Sequence, residues 1–401
     1  MPDRRTTRGV AIVGTGQTRY QHRYPNMPYR DLVFAAVNRA LEDACMAIDR
    51  VDAVVYPMAP DALIGVSHAE RWAADAVGAL GKPFMRVNTG GVTGLSAVQA
   101  GYDLVASGLY DVVMVAGADR VGESGEAQEI MNCIWDPFFE RSLPLTTITM
   151  LAMQAVRFNL KYGADERDMA IVSARSHRNG VLNEYAHIQQ AVTVEEVLAS
   201  ASIAVPIKLL DCCPQSSGGA ALILCAQELA ERFTDRPAWV RGVGHSSETY
   251  WIGDRVGPKA ESDYAESPAL ERAANAAYAM AGLTPADMDV AELYAPFSNI
   301  EMHAVQDVGL CARGNYMKLS REGAFDRDGR IPINPSGGVL CANPISVTAM
   351  VRVIEAALQV RGRAGKHQIP NVHNAIATGC GGDHQYFGAV VVSEHPAQES
   401  R

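Results

Sequence analysis

Short apolar runs alternate along the chain with stretches of helical period. Residues 9–13 (GVAIV) carry no charge and read as a buried strand. Over residues 30–47, Leu32, Ala35, Ala36, Leu41 and Ala44 fall near helical spacing, which predicts an amphipathic helix. Residues 52–56 (DAVVY) predict a second strand and residues 94–107 a helix. Residues 111–116 (DVVMVA) predict a strand free of charge once Asp111 is passed. Such continuously apolar strands suit a parallel sheet buried on both faces. The β-α-β-α alternation predicts an α/β fold.

The pattern then repeats. Residues 40–55 (ALEDACMAIDRVDAVV) and 277–292 (AYAMAGLTPADMDVAE) each give a helix, a short turn, an Asp and a strand. The offset is 237 residues, and the two aspartates are Asp52 and Asp289. Gly90-Gly91 precedes a helix and a strand in the first copy. Gly337-Gly338 precedes a helix predicted over 346–359 in the second, and the last strand is expected at 387–393 (FGAVVVS). The length is explained by two similar α/β halves, 1–262 and 263–401, better than by three unrelated domains. Residues 120–205 break the rhythm, being richer in Met, Arg and long helices, and read as a cap inserted into the first half. That half is expected to resume at 209–224 (LLDCCPQSSGGAALIL) as strand, turn, strand.

Composition narrows the function. The 401 residues are 48 % hydrophobic and 20 % charged, which excludes a disordered chain. With 35 Lys+Arg against 45 Asp+Glu the net charge is −10, so no basic face is available for nucleic acid. No apolar run approaches the ~18 residues of a membrane span. The N-terminal Met-Pro-Asp-Arg-Arg lacks the apolar core of a signal peptide, and a cytoplasmic location is expected. The eight cysteines are scattered without a CxxC pair, which suits buried small hydrophobes rather than zinc or disulfides. The 35 glycines are unusual in falling so often in pairs.

Several motifs carry candidate chemistry. GTGQTR (14–19) begins like a dinucleotide fingerprint, but Arg19 stands where the third glycine belongs, so a tight turn is expected. No GxSxG nucleophile elbow is present. GGVTGLSA (90–97) opens a helix whose first N–H groups would face an anion or carbonyl oxygen. Tyr294, in ELYAPFS (292–298), follows a strand, a favoured place for site residues in open α/β sheets. NPSGGVLCANPIS (334–346) brings Gly338, Cys341 and Asn343 into one loop. HNAIATGCGGDHQYFG (373–388) does the same for Cys380, Gly381, Gly382 and His384. Glycines in such turns allow close backbone approach to a ligand.

In the order RVNTGGVTGLSA, SGLYDVVMVAGAD, PIKLLDCCPQSSGGAALIL, ELYAPFS…VGLCARG, NPSGGVLCANPIS and CGGDHQYFGAVVV, these segments resemble the thiolase superfamily over essentially the whole chain. LLDCCP and VGLCARG are typical of its branch of sterol-carrier-protein thiolases and bacterial lipid-transfer proteins. The resemblance implies two pseudo-twofold-related α/β halves in five layers, and a homodimer. It also implies an acyl-CoA substrate with no cofactor on this chain. A small, separately encoded zinc-ribbon/OB-fold partner is implied too, carrying its own zinc.

The resemblance also shows what is missing. A thiolase places a nucleophilic Cys in a motif like N-x-x-C-A-T-G, and here Gly91 stands at the Cys position. Glycine cannot form an acyl-enzyme. The family's Gly-His-Pro appears as Ala342-Asn343-Pro344, so Asn343 replaces the base His. Its Asn-Glu-Ala-Phe or His-Asp-Cys-Phe motif appears as Tyr294-Ala295-Pro296-Phe297. In these respects the chain is similar to the steroid side-chain aldolases. Those enzymes use a Tyr at the position of Tyr294 and cleave a 3-hydroxyacyl-CoA by retro-aldol chemistry. They carry a second Tyr in the loop matching 341–345, which here holds Cys341, Asn343 and Pro344.

The candidate catalytic residues are therefore Tyr294, Asn343, Cys341, Cys380 and His384. The candidate oxyanion and substrate-binding positions are Gly91, Gly338, Gly381 and Gly382. Cys341 and Cys380 stand as substitute acid/base groups against a reading as structural thiols. Three functions are open: an aldolase, an acyltransferase with its nucleophile moved to Cys341 or Cys380, and a non-catalytic acyl-CoA or lipid-binding subunit. The cap is expected to shape the acyl pocket, and a local group of Arg or Lys to meet the anionic CoA.

Overall fold

The structure is a computed structural model that describes residues 8–58, 60–256 and 263–397. The expected junction at residue 262 lies outside the described residues, and the strand at 238–247, which that junction would put in the first half, pairs instead with a strand of the second. Nine strands make the main sheet. Five belong to the first half: β1 (Val10–Gln17), β2 (Ala53–Pro57), β3 (Phe84–Val87), β4 (Val112–Arg120) and β5 (Ser217–Ala226). Four belong to the second: β6 (Ala238–Ser247), β7 (Val290–Glu292), β8 (Asn374–Gly381) and β9 (Tyr386–Ser393). The order is β3-β2-β4-β5-β1-β6-β9-β8-β7.

The order reads the same from either end. In the first half β1/β5 and β5/β4 are antiparallel, while β4/β2 and β2/β3 are parallel. In the second, β6/β9 and β9/β8 are antiparallel and β8/β7 is parallel. A parallel bridge from Ala291 to Ile333 takes the place of the missing outermost strand. The two halves meet where β1 pairs with β6 through Ala11–Trp239 and Ile12–Ala238. Helix α1 (Tyr29–Asp43) covers β1 and β5, and α5 (Pro268–Ala281) covers β6 and β9. Between the halves lie α2 (Thr93–Ala106) and α7 (Thr348–Val360), which touch each other and strands of both halves. The result is a five-layered α/β fold.

The glycines of β1 explain how α1 sits so close. A side chain on Gly14 would strike the Ala40 carbonyl, and one on Gly16 the Ala36 carbonyl. In the second half Gly242 and Gly244 face the carbonyls of Ala277 and Ala273 in the same way. Ala36/Ala40 and Ala273/Ala277 are separated by the 237-residue offset of the sequence repeat. GTGQTR is thus largely strand, not the expected tight turn: its glycines serve helix-on-strand contact.

Other expectations shift by small amounts for local reasons. The helix expected over 30–47 ends at Asp43, and Cys45 beyond it takes a φ of 47° that no helix continues. LLDCC forms a 3-10 turn rather than a strand, because the Asp211 carboxylate accepts from the Lys208 N–H at 3.1 Å. Strand β6 was not expected, and β8 was concealed as loop by the Gly-, Asn- and His-rich run at 373–388.

The cap contains α3 (Thr147–Tyr162) and α4 (Glu166–Gly180). Their N-termini are closed by Thr146 and Asp165, each accepting from the backbone N–H three residues on. Ion pairs tie the cap to the second half. Arg157 bonds Asp263 at 2.9 Å, holding that carboxyl down to about 2. Lys161 and Tyr162 both bond Glu266, and buried Arg175 meets buried Glu301 on α6 (Ser298–Asp307).

The helix contacts give a direct test. Gly16→Ala and Gly244→Ala place a methyl group against backbone that cannot rotate away. Each is expected to cost about 1–3 kcal/mol, seen as a lowered Tm in thermal unfolding. A Tm equal to that of the parent protein in both variants contradicts this packing.

Candidate active site

Two backbone loops press together where the halves meet. A Cβ on Gly90 would lie 2.9 Å from the Gly382 nitrogen. One on Gly381 would lie 2.7 and 2.9 Å from the nitrogens of Val92 and Gly91. Gly90 and Gly382 also adopt φ values of 67° and 58°, which glycine takes without strain. The pairs 90–91 and 381–382 therefore exist to bring the start of α2 against the β8–β9 hairpin. Gly337-Gly338 plays the same part elsewhere. A side chain at Gly338 would meet Asn334, and that residue lies outside the cavity described next.

Above the two loops is a cavity of about 240 Å³. Gly91, Tyr294, Asn343, Cys380, Gly381, Gly382 and His384 line one end of it. The cap supplies Met131, Ile134, Ile148 and Leu151 to the other end, so the inserted segment does form part of the pocket. None of the described lining residues is Lys or Arg, so the cavity itself offers no fixed cation to an anionic ligand. Backbone strain concentrates here. Ile345, Asp383 and His384, all lining residues, have φ values of 37°, 53° and 63°. A β-branched residue at positive φ is a true outlier, and such strain gathers at functional sites.

Tyr294 follows β7 and is fixed from its own backbone. Its N–H donates to Thr378 Oγ1 at 2.9 Å, and the neighbouring Leu293 N–H donates to Asn334 Oδ1 at 2.7 Å. Its side chain is 6 % exposed. Burial pushes the phenol well above its usual range, with Cys380 and Cys213 adding to the shift. The hydroxyl lies 2.6 Å from the point where a Cβ on Gly91 would stand. The Cys380 carbonyl oxygen crowds the same point.

Asn343 is held by three contacts. Its N–H donates to Ser216 Oγ at 3.1 Å, its Oδ1 accepts from Thr348 at 2.9 Å, and its Nδ2 points to Cys213 Sγ at 3.1 Å. Cys213 is a lining residue that sequence reading missed. The only signal for it was the Cys-Cys-Pro stretch, whose distance along the chain hid its place beside Tyr294. Burial pushes its thiol up to about 11. Cys380 is likewise raised by burial, with Asp383 adding to it. Cys341 is not in the cavity. It is fully buried, donates to the Ser176 carbonyl at 3.3 Å, and is pushed up to about 12 by burial. It is a structural thiol.

His384 sits in the turn between β8 and β9. Arg255 Nη1 donates to the carbonyls of both Asp383 and His384 at 3.0 Å and fixes the turn. The imidazole is 5 % exposed, and burial lowers it to about 3, so it is neutral. Asp383, part of the 373–388 motif though not an expected site residue, is raised well above the carboxylate range by burial. The arrangement thus offers neutral proton donors and acceptors in an apolar cavity. No thiol in it is pre-ionised for nucleophilic attack. Among the described residues no cluster of His, Cys, Asp and Glu is placed to hold a metal, and no helix is long and apolar enough to cross a membrane.

Comparison with known proteins agrees with this geometry. The family model for the thiolase N-terminal domain matches residues 10–228, and that for the thiolase C-terminal domain-like family matches 257–394. An acetyl-CoA acetyltransferase of Methanothermobacter thermautotrophicus is 33 % identical over 94 % of this chain and 97 % of its own. Sterol carrier protein 2 of Gallus gallus is 28 % identical over 96 % of this chain and 71 % of its own. Among solved structures, the Ltp2-ChsH2(DUF35) aldolase superposes with a TM-score of 0.82 at 27 % identity, covering 96 % of this chain and 98 % of that one. The chain belongs to the thiolase superfamily, in its sterol-carrier-protein thiolase branch.

Proposed function

We propose that this thiolase-like enzyme is a lyase that cleaves the Cα–Cβ bond of a 3-hydroxyacyl-CoA without an acyl-enzyme. The observation that carries the proposal is the contact between Tyr294 and Gly91. The phenol hydroxyl stands 2.6 Å from where a side chain on residue 91 would begin. A nucleophilic side chain and this hydroxyl cannot share that space. The cavity thiols, raised by burial, are poor substitutes.

In the proposed reaction the β-hydroxyl loses its proton and its oxygen forms a carbonyl. The Cα–Cβ bond breaks, and its electron pair passes to Cα and the thioester oxygen as an enolate. The backbone N–H groups of the Gly91 and Gly381-Gly382 loops are the donors placed to meet that oxygen. Tyr294, a neutral phenol at rest, donates its proton to Cα. The products are a shorter acyl-CoA and an aldehyde or ketone. Asn343 holds the loop opposite Tyr294 and presents its amide at the cavity wall.

The chain takes no cofactor of its own in this proposal. It works as a homodimer in the cytoplasm, with a small zinc-ribbon/OB-fold partner completing the CoA site. The two-component name of the Ltp2-ChsH2(DUF35) aldolase supports a partner, as does the lack of Lys and Arg among the described lining residues. Relatives named as acetyl-CoA acetyltransferases favour a second reading, acyl transfer through Cys213 or Cys380.

Three outcomes are expected. Tyr294→Phe lowers kcat for retro-aldol cleavage by about 10²–10⁴-fold while leaving Tm nearly unchanged; full turnover in this variant rules out the assignment. Gly91→Ala, whose methyl strikes both the Cys380 carbonyl and the Tyr294 hydroxyl, loses activity to a similar degree; an active Gly91→Ala enzyme contradicts the crowding. The rate stays level from neutral pH to about pH 10, because burial keeps Tyr294 protonated through the ordinary phenol range. A rise of about tenfold per pH unit points instead to a phenolate base.

A further inference from the structure

A neutral phenol at rest cannot accept the β-hydroxyl proton. That proton must leave by another group, and Tyr294 must regain one after each turnover. His384 stands at the crossing point of three cavities. It lines the substrate cavity. It also lines an inner cavity of about 10 Å³, shared with Tyr294, His303 and Thr378. It lines an outer one of about 20 Å³, shared with Gln154, Arg255, Glu248 and Glu266. Both small cavities are close to the ~10–15 Å³ that one water needs.

Polar groups stand in their otherwise largely apolar walls, which is the second requirement for a buried water. Among the described residues, neither ring nitrogen of His384 has a hydrogen-bond partner. The same is true of Gln154 Oε1 and Arg255 Nε, both buried. Buried polar atoms left this way are costly unless water meets them. At its far end the outer cavity reaches Glu248 and Glu266, whose side chains are 21 % and 17 % exposed.

We propose that His384, with one ordered water in each small cavity, is the proton relay between the substrate cavity and solvent. The inference rests on the retro-aldol reading above. The β-hydroxyl O–H breaks and its proton passes to a His384 nitrogen. The opposite nitrogen gives up its N–H proton to the water chain. After Tyr294 has protonated Cα, the phenolate takes a proton from the inner water, and His384 resupplies that water from the outer one. One proton leaves and one returns, so the reaction has no net proton change. A neutral imidazole suits this part because it carries one donor and one acceptor nitrogen. Burial keeps it in that form. His384 touches the substrate cavity and acts as a catalytic residue, while Arg255 positions it through the Asp383 and His384 carbonyls.

The left-handed backbone at His384 makes the test clean. At a φ of 63°, Gly and Asn fit residue 384 without strain, so His384→Gly and His384→Asn are expected to fold. Both lose about 10²-fold in kcat with little change in KM. Added imidazole restores turnover to His384→Gly but not to His384→Asn, whose side chain occupies the gap. Parent-level kcat in both variants overturns the relay, as does a loss in His384→Gly that imidazole leaves untouched. If the parent protein cleaves no 3-hydroxyacyl-CoA, the retro-aldol reading has failed by itself. A high-resolution crystal structure of the parent protein then decides the relay. Waters bonded to His384 in both small cavities support it, and dry cavities overturn it.

Discussion

One steric constraint organises the centre of this protein: residue 91 and the Tyr294 hydroxyl compete for one place. The fold delivers both to that place from opposite halves. Gly91 precedes the central helix of the first half, and Tyr294 follows a strand of the second. The loops carrying Gly90-Gly91 and Gly381-Gly382 touch backbone to backbone, so neither can withdraw to make room. In a relative with a cysteine at this position, the nucleophile would fill the space. Here the space is taken by the Cys380 carbonyl and a phenol, and in the proposed reading the chemistry left is proton transfer.

The surroundings are consistent with that exchange. Every cavity thiol with a resolved shift is raised by burial, His384 is lowered by it, and Tyr294 is raised. All of them favour the neutral form. A low-dielectric cavity of neutral groups stabilises an enolate mainly through oriented backbone dipoles, without fixed counter-charges. The same environment strengthens each hydrogen bond a substrate makes. The strained backbone at Ile345, Asp383 and His384 fixes the orientation of these groups.

Much of the architecture was legible because duplication leaves a period. The 237-residue offset read from 40–55 and 277–292 reappears as matched Ala pairs on α1 and α5, each seated on glycines of the strand beneath. What stayed hidden was the meaning of those glycines. GTG in β1 signals close approach, but the helix that approaches lies some twenty residues on, and a turn looks the same locally. β8 was hidden for a related reason. Its small and polar residues, suited to packing against the central helices, lack the β-branched run that marks a strand. At the site, Tyr294, Gly91, Cys380 and His384 were found because they sit in loops with unusual composition. Cys341 and Gly338 share a loop with Asn343 yet face away, since sequence does not show which side of a tight turn is turned inward. Cys213 and Asp383 stood in motifs that were read but were not expected as site residues, because neither stands out until the fold brings it to the cavity.

The proposed carbon–carbon cleavage proceeds without an acyl-enzyme. Intact-protein mass spectrometry during a single turnover of a 3-hydroxyacyl-CoA follows this step. The shorter acyl-CoA and its carbonyl co-product are expected to appear while the protein mass stays unchanged at every time point. An acyl adduct that forms on a cysteine and decays as product is released contradicts it.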